Sequence, residues 1–406
     1  MKVFFDTFGC RLSRAEALQQ EADYLAAGWE LAAYHADADL IIVRGCSVTS
    51  RAQRDCEKLI EHLRKKYPTK RVHIEGCLKD AHAKPLLPFM KAPPQAGLPT
   101  RTARAYLKVQ DGCSGKCTFC IVPQFRGVSI STDFDEVLAR AKKFRESGYH
   151  ELVVTGCNLA LYASHGKRLP DLLAALAELS PDCRVRLGSL EPGPIAMEVL
   201  DVFAAHENLC RELHLPIQSG SNRILMQMKR PYLIHDVVLV LDGIQKRFGS
   251  LFAVGCDLMT GFPSENEIDF LATKSLFKRF TLAKAHVFPF SERPDTPAAN
   301  YADVVPRDTR LKRAKELIHL AEESRSRFLS QFHGRTVEVI VEDEDHLAGW
   351  TSEHIWCQCG TPDEAVAFGL KTRSHGQRIA ARKERLSIRV NSDHNHILYG
   401  VPTHGW

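Results

Sequence analysis

Three cysteines within eight residues, Cys113-Ser-Gly-Lys-Cys117-Thr-Phe-Cys120, constrain this chain more than any other stretch. They follow an apolar, strand-like segment, and thiolates this close on one loop can wrap a single iron–sulfur cluster, because soft sulfur suits iron. Three cysteines ligate three irons of a four-iron cubane and leave the fourth with an open position. Ser114 and Gly115 let the loop fold back, and Phe119 sets an aromatic ring beside the last ligand. A zinc knuckle or a set of buried thiols is the competing reading. Structural zinc closes its site with four ligands, and no fourth ligand stands at a usual spacing, so the pattern favours the cluster.

Upstream, the first 80 residues read as three strand–helix units: strand 2–8, helix 15–27, strand 40–43, helix 52–66 and strand 71–74. Short apolar runs alternating with amphipathic helices predict α/β structure with a flavodoxin-like parallel sheet. Cys10, Cys46 and Cys77 each follow a glycine directly after one of these strands. The carboxyl ends of an open parallel sheet share one edge, where ligands bind, so three distant thiols are expected to converge there. One Gly-Cys pair would be coincidence; three in register predict a second three-cysteine site. Cys56, on the helix after Cys46, reads as packing.

Prolines and the loss of periodicity mark 83–104 as a linker between an N-terminal domain, 1–82, and a second one, 105–333. In the latter, strands are expected at 105–109, 151–155, 184–188, 212–217, 251–258 and 284–289, with helices between them. Six such units fit a partial (βα)6 TIM-type barrel, whose site lies at the carboxyl ends of its strands. The three-cysteine loop follows the first strand, on that face. Thr155-Gly156, Ser189-Leu-Glu191-Pro192, His214 through Ser221 and Asp257 through Gly261 end later strands. Each alone would pass for a turn or cap; repeated at strand ends they outline a rim.

A basic helix is expected near 307–332, either a solvated face balanced by its glutamates or a contact for RNA. Residues 334–406 change character: 336–341 alternates, the chain turns at 343–345 and resumes over 347–356, as in a small C-terminal β-barrel. Lys371, Arg373, Arg378, Arg382, Lys383 and Arg385 give this tail the densest positive patch, which suits nucleic acid. The net charge of +5 permits a polyanionic partner without requiring one. No run approaches a membrane-spanning length, and Met1-Lys-Val-Phe-Phe-Asp opens no signal-peptide pattern. The expectation is a cytoplasmic protein, where thirteen cysteines read as metal or redox ligands before disulfides.

The Cys-x3-Cys-x2-Cys run with its aromatic resembles the signature of radical S-adenosylmethionine (SAM) enzymes. The wider segment Lys108-Val-Gln-Asp-Gly-Cys113 through Ile121-Val-Pro-Gln-Phe-Arg126-Gly127 narrows the resemblance to the methylthiotransferases. It extends over nearly the whole chain, the tail resembling a TRAM domain in its first half. Thr7-Phe-Gly-Cys10, Gly45-Cys46-Ser-Val-Thr49, Arg186 through Pro192 and Phe288 through Pro297 look most like the MtaB-like branch, which methylthiolates C2 of N6-threonylcarbamoyladenosine next to the tRNA anticodon. Gly76-Cys77-Leu-Lys and Gly261-Phe-Pro-Ser264-Glu-Asn266 depart from the family pattern.

The resemblance implies two 4Fe–4S clusters: an auxiliary one on Cys10, Cys46 and Cys77, and a catalytic, SAM-binding one on Cys113, Cys117 and Cys120. It implies that SAM chelates the open iron beside Phe119, with Thr155, Gly156, Ser189, Glu191 and Gln218 at positions that line SAM. A 5′-deoxyadenosyl radical then activates C2, the auxiliary cluster supplies sulfur, and a second SAM supplies the methyl group. The implied partners are tRNA and an electron donor such as flavodoxin or ferredoxin. Arg293 and Arg230 are the positional candidates for the threonyl carboxylate, against the reading that both are solvated. Isopentenyladenosine in tRNA and a ribosomal-protein aspartate are alternative substrates. From another class, the chain could be an iron–sulfur RNA-binding or electron-carrying protein without radical chemistry.

Overall fold

Four parallel strands open the chain: β1 (Lys2–Thr7), β2 (Glu30–Leu31), β3 (Leu40–Gly45) and β4 (Arg71–Gly76), in the order β2-β1-β3-β4. The structure is a computed structural model and describes residues 1–46, 50–78, 102–343, 346–359 and 385–404. β3 is buried along its whole length, as a central strand covered on both faces must be. Helices α1 (Arg11–Ala26) and α2 (Ser50–Lys66) make the crossovers. Ile41, Val43, Cys56, Ile60, Leu63 and Ile74 form the core beneath α2, so Cys56 packs as expected. The strand order is that of a flavodoxin-like sheet, with the two-residue β2, which the sequence pattern did not show, added at its edge.

The central part begins with β5 (Ala105–Lys108) and a small ladder of β6 (Gln110–Asp111) with β7 (Ile130–Ser131). Between β6 and β7 lie the three-cysteine loop and α3 (Val122–Arg126); α4 (Phe134–Glu146) and β8 (Glu151–Thr155) follow. A hairpin of β9 (Ala163–Ser164) and β10 (Lys167–Arg168) leads to α5 (Leu169–Leu179), β11 (Arg184–Leu187) and α6 (Pro194–Ala205). Then come β12 (Glu212–Gln218), α7 (Asn222–Gln227), α8 (Ile234–Phe248), β13 (Ala253–Thr260), α9 (Glu267–Arg279), β14 (Lys284–Pro289) and α10 (Arg307–Ser330). The six long strands form two parallel sheets, β11-β8-β5 and β12-β13-β14, joined by a bridge between Ser189 and His214. This is the expected open (βα)6 barrel. One core runs between its strands and the helices α4, α5, α6, α8 and α9.

An open barrel has two edges to cover. At β5, Ala15 and Leu18 of α1 pack against Tyr106 and Val153, so the N-terminal unit closes one side. α10 packs along β14 on the other. The basic residues of α10 divide between its two faces. Arg310 is buried against Glu292, 2.7 Å away, and Arg313 against Glu265 at 2.8 Å, while Lys312, Lys315 and Arg327 face outward.

The tail is a closed barrel, β15-β16-β17-β19-β18, of β15 (Thr336–Asp343), β16 (Ala348–Thr351), β17 (Trp356–Gln358), β18 (Arg385–His394) and β19 (Ile397–His404). The run expected to resume as one segment over 347–356 is broken by a turn. The Thr351 amide donates to the Ile355 carbonyl at 3.0 Å, and His354 takes a φ of +57°. That turn plugs the base of the larger barrel. Arg186, fully buried, donates to the Thr351 and Ser352 carbonyls at 2.8 and 3.0 Å, and to Glu151 and Glu212 at 2.7 and 3.0 Å. Burial alone would raise the Glu151 pKa, but the Arg186 and Arg184 charges hold it well below the usual carboxylate range. Of the basic patch, Lys371, Arg373, Arg378, Arg382 and Lys383 lie outside the described residues. Arg385 pairs with Glu338 at 3.5 Å.

Candidate functional site

Cys10, Cys46 and Cys77 stand where the parallel topology puts them, at the carboxyl ends of β1, β3 and β4. The adjoining glycines have different jobs. Gly9 and Gly76 have φ of +116° and +88°, which an L side chain resists, whereas Gly45 makes room for Leu78, whose Cδ1 would lie 2.0 Å from an added Cβ. The same construction at Gly9 meets the Cys46 Cβ at 3.3 Å, so the Cys10 and Cys46 turns touch. Cys77 lies in the electrostatic field of Cys10, and its amide donates to the Gly45 carbonyl at 3.2 Å.

A cation from the barrel domain serves this triad. Arg126, at the end of α3, points Nε at the Cys77 Sγ, 3.1 Å away. Its other nitrogens bond both Glu16 oxygens at 2.8 and 3.0 Å and the Asp111 Oδ1 at 3.0 Å. Glu16 also receives Arg44 at 2.9 Å and Lys108 at 2.6 Å. Burial would raise the Glu16 pKa, but these cations hold it below normal. The network ties the two domains together next to the thiols.

On the other loop, Cys113, Cys117 and Cys120 are half-buried and near enough that Cys120 feels both partners. Burial pushes the Cys120 thiol up to about 11, so bound iron is what would keep it a thiolate. Each of the other two sulfurs meets N–H donors: the Gly115 amide and Asn158 Nδ2 at Cys113, 3.4 and 3.9 Å away, and Arg230 at Cys117, 2.9 Å away. Donors around sulfur are what a cluster site uses to tune its charge. Three sulfurs with N–H donors beside them therefore fit an iron–sulfur cluster.

A cavity of about 620 Å³ runs from Cys10, Cys46 and Cys120 into the barrel, with Phe119, Thr155, Gly156, Ser189 and Gln218 on its lining. The Gln218 Oε1 is buried on that wall without a hydrogen-bond partner, at a residue held at φ +67°. An orphaned acceptor there fits a polar ligand of the SAM type. Glu191 is not on that lining: it pairs with Arg230 at 2.8 Å, behind the guanidinium on Cys117, and its charge also bears on the Cys117 thiol. Arg230 is thus neither solvated nor open to a substrate carboxylate. Arg293 is also buried, on the cavity wall close to Cys46, and it donates to the Gln53 Oε1 at 2.6 Å.

Sequence reasoning named His214 and Asp257 on the rim but missed Cys157, Lys284 and His286. Cys157 lies 3.6 Å from Asp111 and in the field of Cys10, between the triads. Asp257 accepts from His214 and from His286, each at 3.1 Å, on the inner wall. Alternation along β14 was the available signal: Lys284, His286 and Phe288 share one face, and that face lines the cavity.

The family model for the Radical SAM superfamily matches residues 107–277, and that for the uncharacterized protein family UPF0004 matches 2–93. The chain is 28% identical over 403 residues to the threonylcarbamoyladenosine tRNA methylthiotransferase MtaB of Bacillus subtilis (strain 168), covering 87% of this chain and 89% of that protein. The Thermotoga maritima protein of the same name is 29% identical, with 84% and 86% covered. A tRNA-2-methylthio-N(6)-dimethylallyladenosine synthase of Burkholderia mallei is 27% identical, with 100% and 98% covered. Among solved structures, the radical S-adenosylmethionine methyltransferase TsrM from Kitasatospora setae aligns with a TM-score of 0.53 at 12% identity, over 73% of each chain, which speaks for the fold.

Proposed function

Since this chain is a transferase of the radical SAM methylthiotransferase family, we propose that it adds a methylthio group to C2 of N6-threonylcarbamoyladenosine next to the anticodon of tRNA. The observation that carries this reading is that both cysteine triads give onto one cavity, through Cys10, Cys46 and Cys120. A sulfur-inserting enzyme needs its radical source and its sulfur source to face the same substrate atom. An electron carrier or a plain RNA-binding protein needs no such shared cavity.

Cys113, Cys117 and Cys120 would hold the SAM-binding 4Fe–4S cluster, and Cys10, Cys46 and Cys77 an auxiliary one. When bound, these groups and SAM supply one-electron cleavage, sulfur and the methyl group. The chain's own residues position and shield. Arg230, fixed by Glu191, sets a donor on Cys117, and Arg126 does the same at Cys77. Phe119 packs edge-on to Phe262, ring centroids 6.5 Å apart, and offers its cavity side to an adenine. Thr155, Gly156, Ser189 and Gln218 line the space for SAM, with Gln218 Oε1 free to accept a hydrogen bond from it. The turn of the tail barrel at Glu353–Ile355 forms part of the cavity lining at the barrel base.

The tail barrel acts as a TRAM-like tRNA-binding unit, its patch from Lys371 to Arg385 on the phosphates, and a flavodoxin or ferredoxin of the cytoplasm delivers the electron. No helix among the described residues is long and apolar enough to cross a membrane. The relatives named for threonylcarbamoyladenosine and the polar inner wall of the cavity both support that substrate over dimethylallyladenosine, whose tail is a hydrocarbon. Anaerobically reconstituted enzyme is expected to methylthiolate tRNA carrying threonylcarbamoyladenosine and to ignore tRNA carrying isopentenyladenosine, read by mass spectrometry of nucleosides. Equal turnover of both would sink the substrate assignment and leave the radical chemistry standing.

A further inference from the structure

The cavity is zoned. Near the cysteines its wall is apolar and aromatic, with Phe119, Met259, Phe288 and Phe290. Deeper, β14 turns Lys284 and His286 inward, and Arg325 of α10 joins them. Among the described residues the Lys284 ammonium makes no hydrogen bond or ion pair. Arg325 donates only to the carbonyls of Ala283 and His396, at 3.0 and 3.1 Å, and its Nε is buried without a partner. The acids nearby are engaged: Glu212 by Arg11 and Arg186, Asp257 by His214 and His286. Desolvation by the surrounding wall and the Arg325 charge lower the Lys284 pKa against the pull of Glu212 and Asp257, and burial lowers that of Arg325, while the remaining wall acid, Glu353, is drawn by burial toward its neutral form. Lys284 is solvent-exposed within the cavity and feels Glu212 and Asp257 without pairing with either, so with Arg325 it leaves a positive patch on the wall that an anionic ligand can fill.

We infer that Lys284, with Arg325 beside it, is an anion subsite that takes the threonyl carboxylate of the substrate, an inference that rests on the function proposed above. Direction favours this pair over Arg293. The C2 atom must face the sulfur source at Cys10 and Cys46, and the substituent on N6 leaves the purine on another side. The acid is therefore carried away from Arg293, which sits by Cys46, and toward the deep wall. Length agrees as well. From C6 the carbamoyl and threonyl atoms span five bonds, roughly 6 Å when extended. Two residues along a strand are roughly 6.6 Å, so a purine level with Phe288 puts its acid level with His286, within reach of the flexible Lys284 stem. A dimethylallyl tail would instead leave both cations unanswered.

The test uses the full chain with its clusters reconstituted and two anticodon stem-loops: one with threonylcarbamoyladenosine, one with its methyl ester. Wild type is expected to prefer the acid by about tenfold to a hundredfold in kcat/KM, as for a charge-assisted hydrogen bond. Lys284→Gln should bring that ratio within about threefold of unity, and Arg325→Gln should lower it in part. Because the readout is a ratio within one variant, incomplete folding or cluster loading cancels. A Lys284→Gln enzyme with the wild-type ratio would overturn the subsite, as would a wild type that modifies acid and ester alike. In both cases the proposed function stands if isopentenyladenosine is still refused. A wild type that modifies isopentenyladenosine and refuses the acid would overturn function and subsite together.

Discussion

Replacing Arg126 by Ala probes whether the two domains are held by the charged network beside Cys77. The side chain is 10% exposed and makes three bonds to carboxylate oxygens, two on Glu16 and one on Asp111. Breaking an isolated buried pair costs about 3–5 kcal/mol, but Glu16 keeps Arg44 and Lys108, and the Asp111 bond is partly screened by solvent. Without its two charge-assisted bonds to Glu16, the variant then bears a net cost of roughly 2–3 kcal/mol. If α1 is released as a unit, its opening constant rises roughly 30- to 150-fold. Hydrogen exchange of the amides from Ala15 to Tyr24, measured on cluster-free protein, reads this without any contribution from iron. Arg126→Lys should recover part of the protection through its charge. The pH dependence has a fixed sign. The Glu16 pKa is below its ordinary value of 4.5 in the fold, so its stabilisation is complete above that value and is lost as the pH falls through the lower, folded one. Protection within threefold of wild type in Arg126→Ala would refute the view that this network docks the domain.

Three other expectations follow from the site and the tail. Replacing Cys10, Cys46 and Cys77 by Ala should remove half the reconstituted iron and spare SAM cleavage, while replacing Cys113, Cys117 and Cys120 should remove half and abolish it. Full iron in the N-terminal variant would contradict the convergence of that triad. Arg230→Gln and Glu191→Gln should both slow SAM cleavage, by about 10- to 100-fold for the arginine as a residue next to a ligand, and should alter the spectrum of the reduced cluster. Unchanged spectra in both would make the pair a packing feature only. Converting Lys371, Arg373 and Arg378 to Gln should lower the slope of log K for tRNA against log salt by about 0.7–0.9 for each phosphate no longer neutralised, and an unchanged slope would remove the patch from the interface. Deleting 334–406 is not an equivalent experiment. Arg186 would be stripped of the Thr351 and Ser352 carbonyls, and the barrel floor would open, so poorly folded protein is the expected outcome.

Much of this protein was legible along the chain because its signals are local. Cysteine spacing names a cluster loop since ligands to one metal centre must come from neighbouring residues or from strand ends that topology brings together. Alternating apolar periodicities located all six long barrel strands to within about two residues, because burial on both faces leaves that mark wherever a strand lies in a parallel sheet. The two-residue β2 left no mark, and the turn inside 347–356 hid in a run that alternates on both sides of it. Long-range pairing was not legible. The sequence places Arg126 and Arg186 in signature segments and offers Arg230 for the threonyl carboxylate, but it does not show their partners. Only the folded chain sets the first on Cys77, seals the second under the tail barrel and spends the third on Glu191 and Cys117. Nor could spacing tell that Lys284 and Arg325, forty-one positions apart, would share a wall whose acids Glu212 and Asp257 are engaged by other partners. Local backbone preference and ligand spacing act over a few residues, whereas the partner of a charged side chain is set by which elements pack together. The reaction class could therefore be read from the chain, and the cations open to a substrate only from the fold.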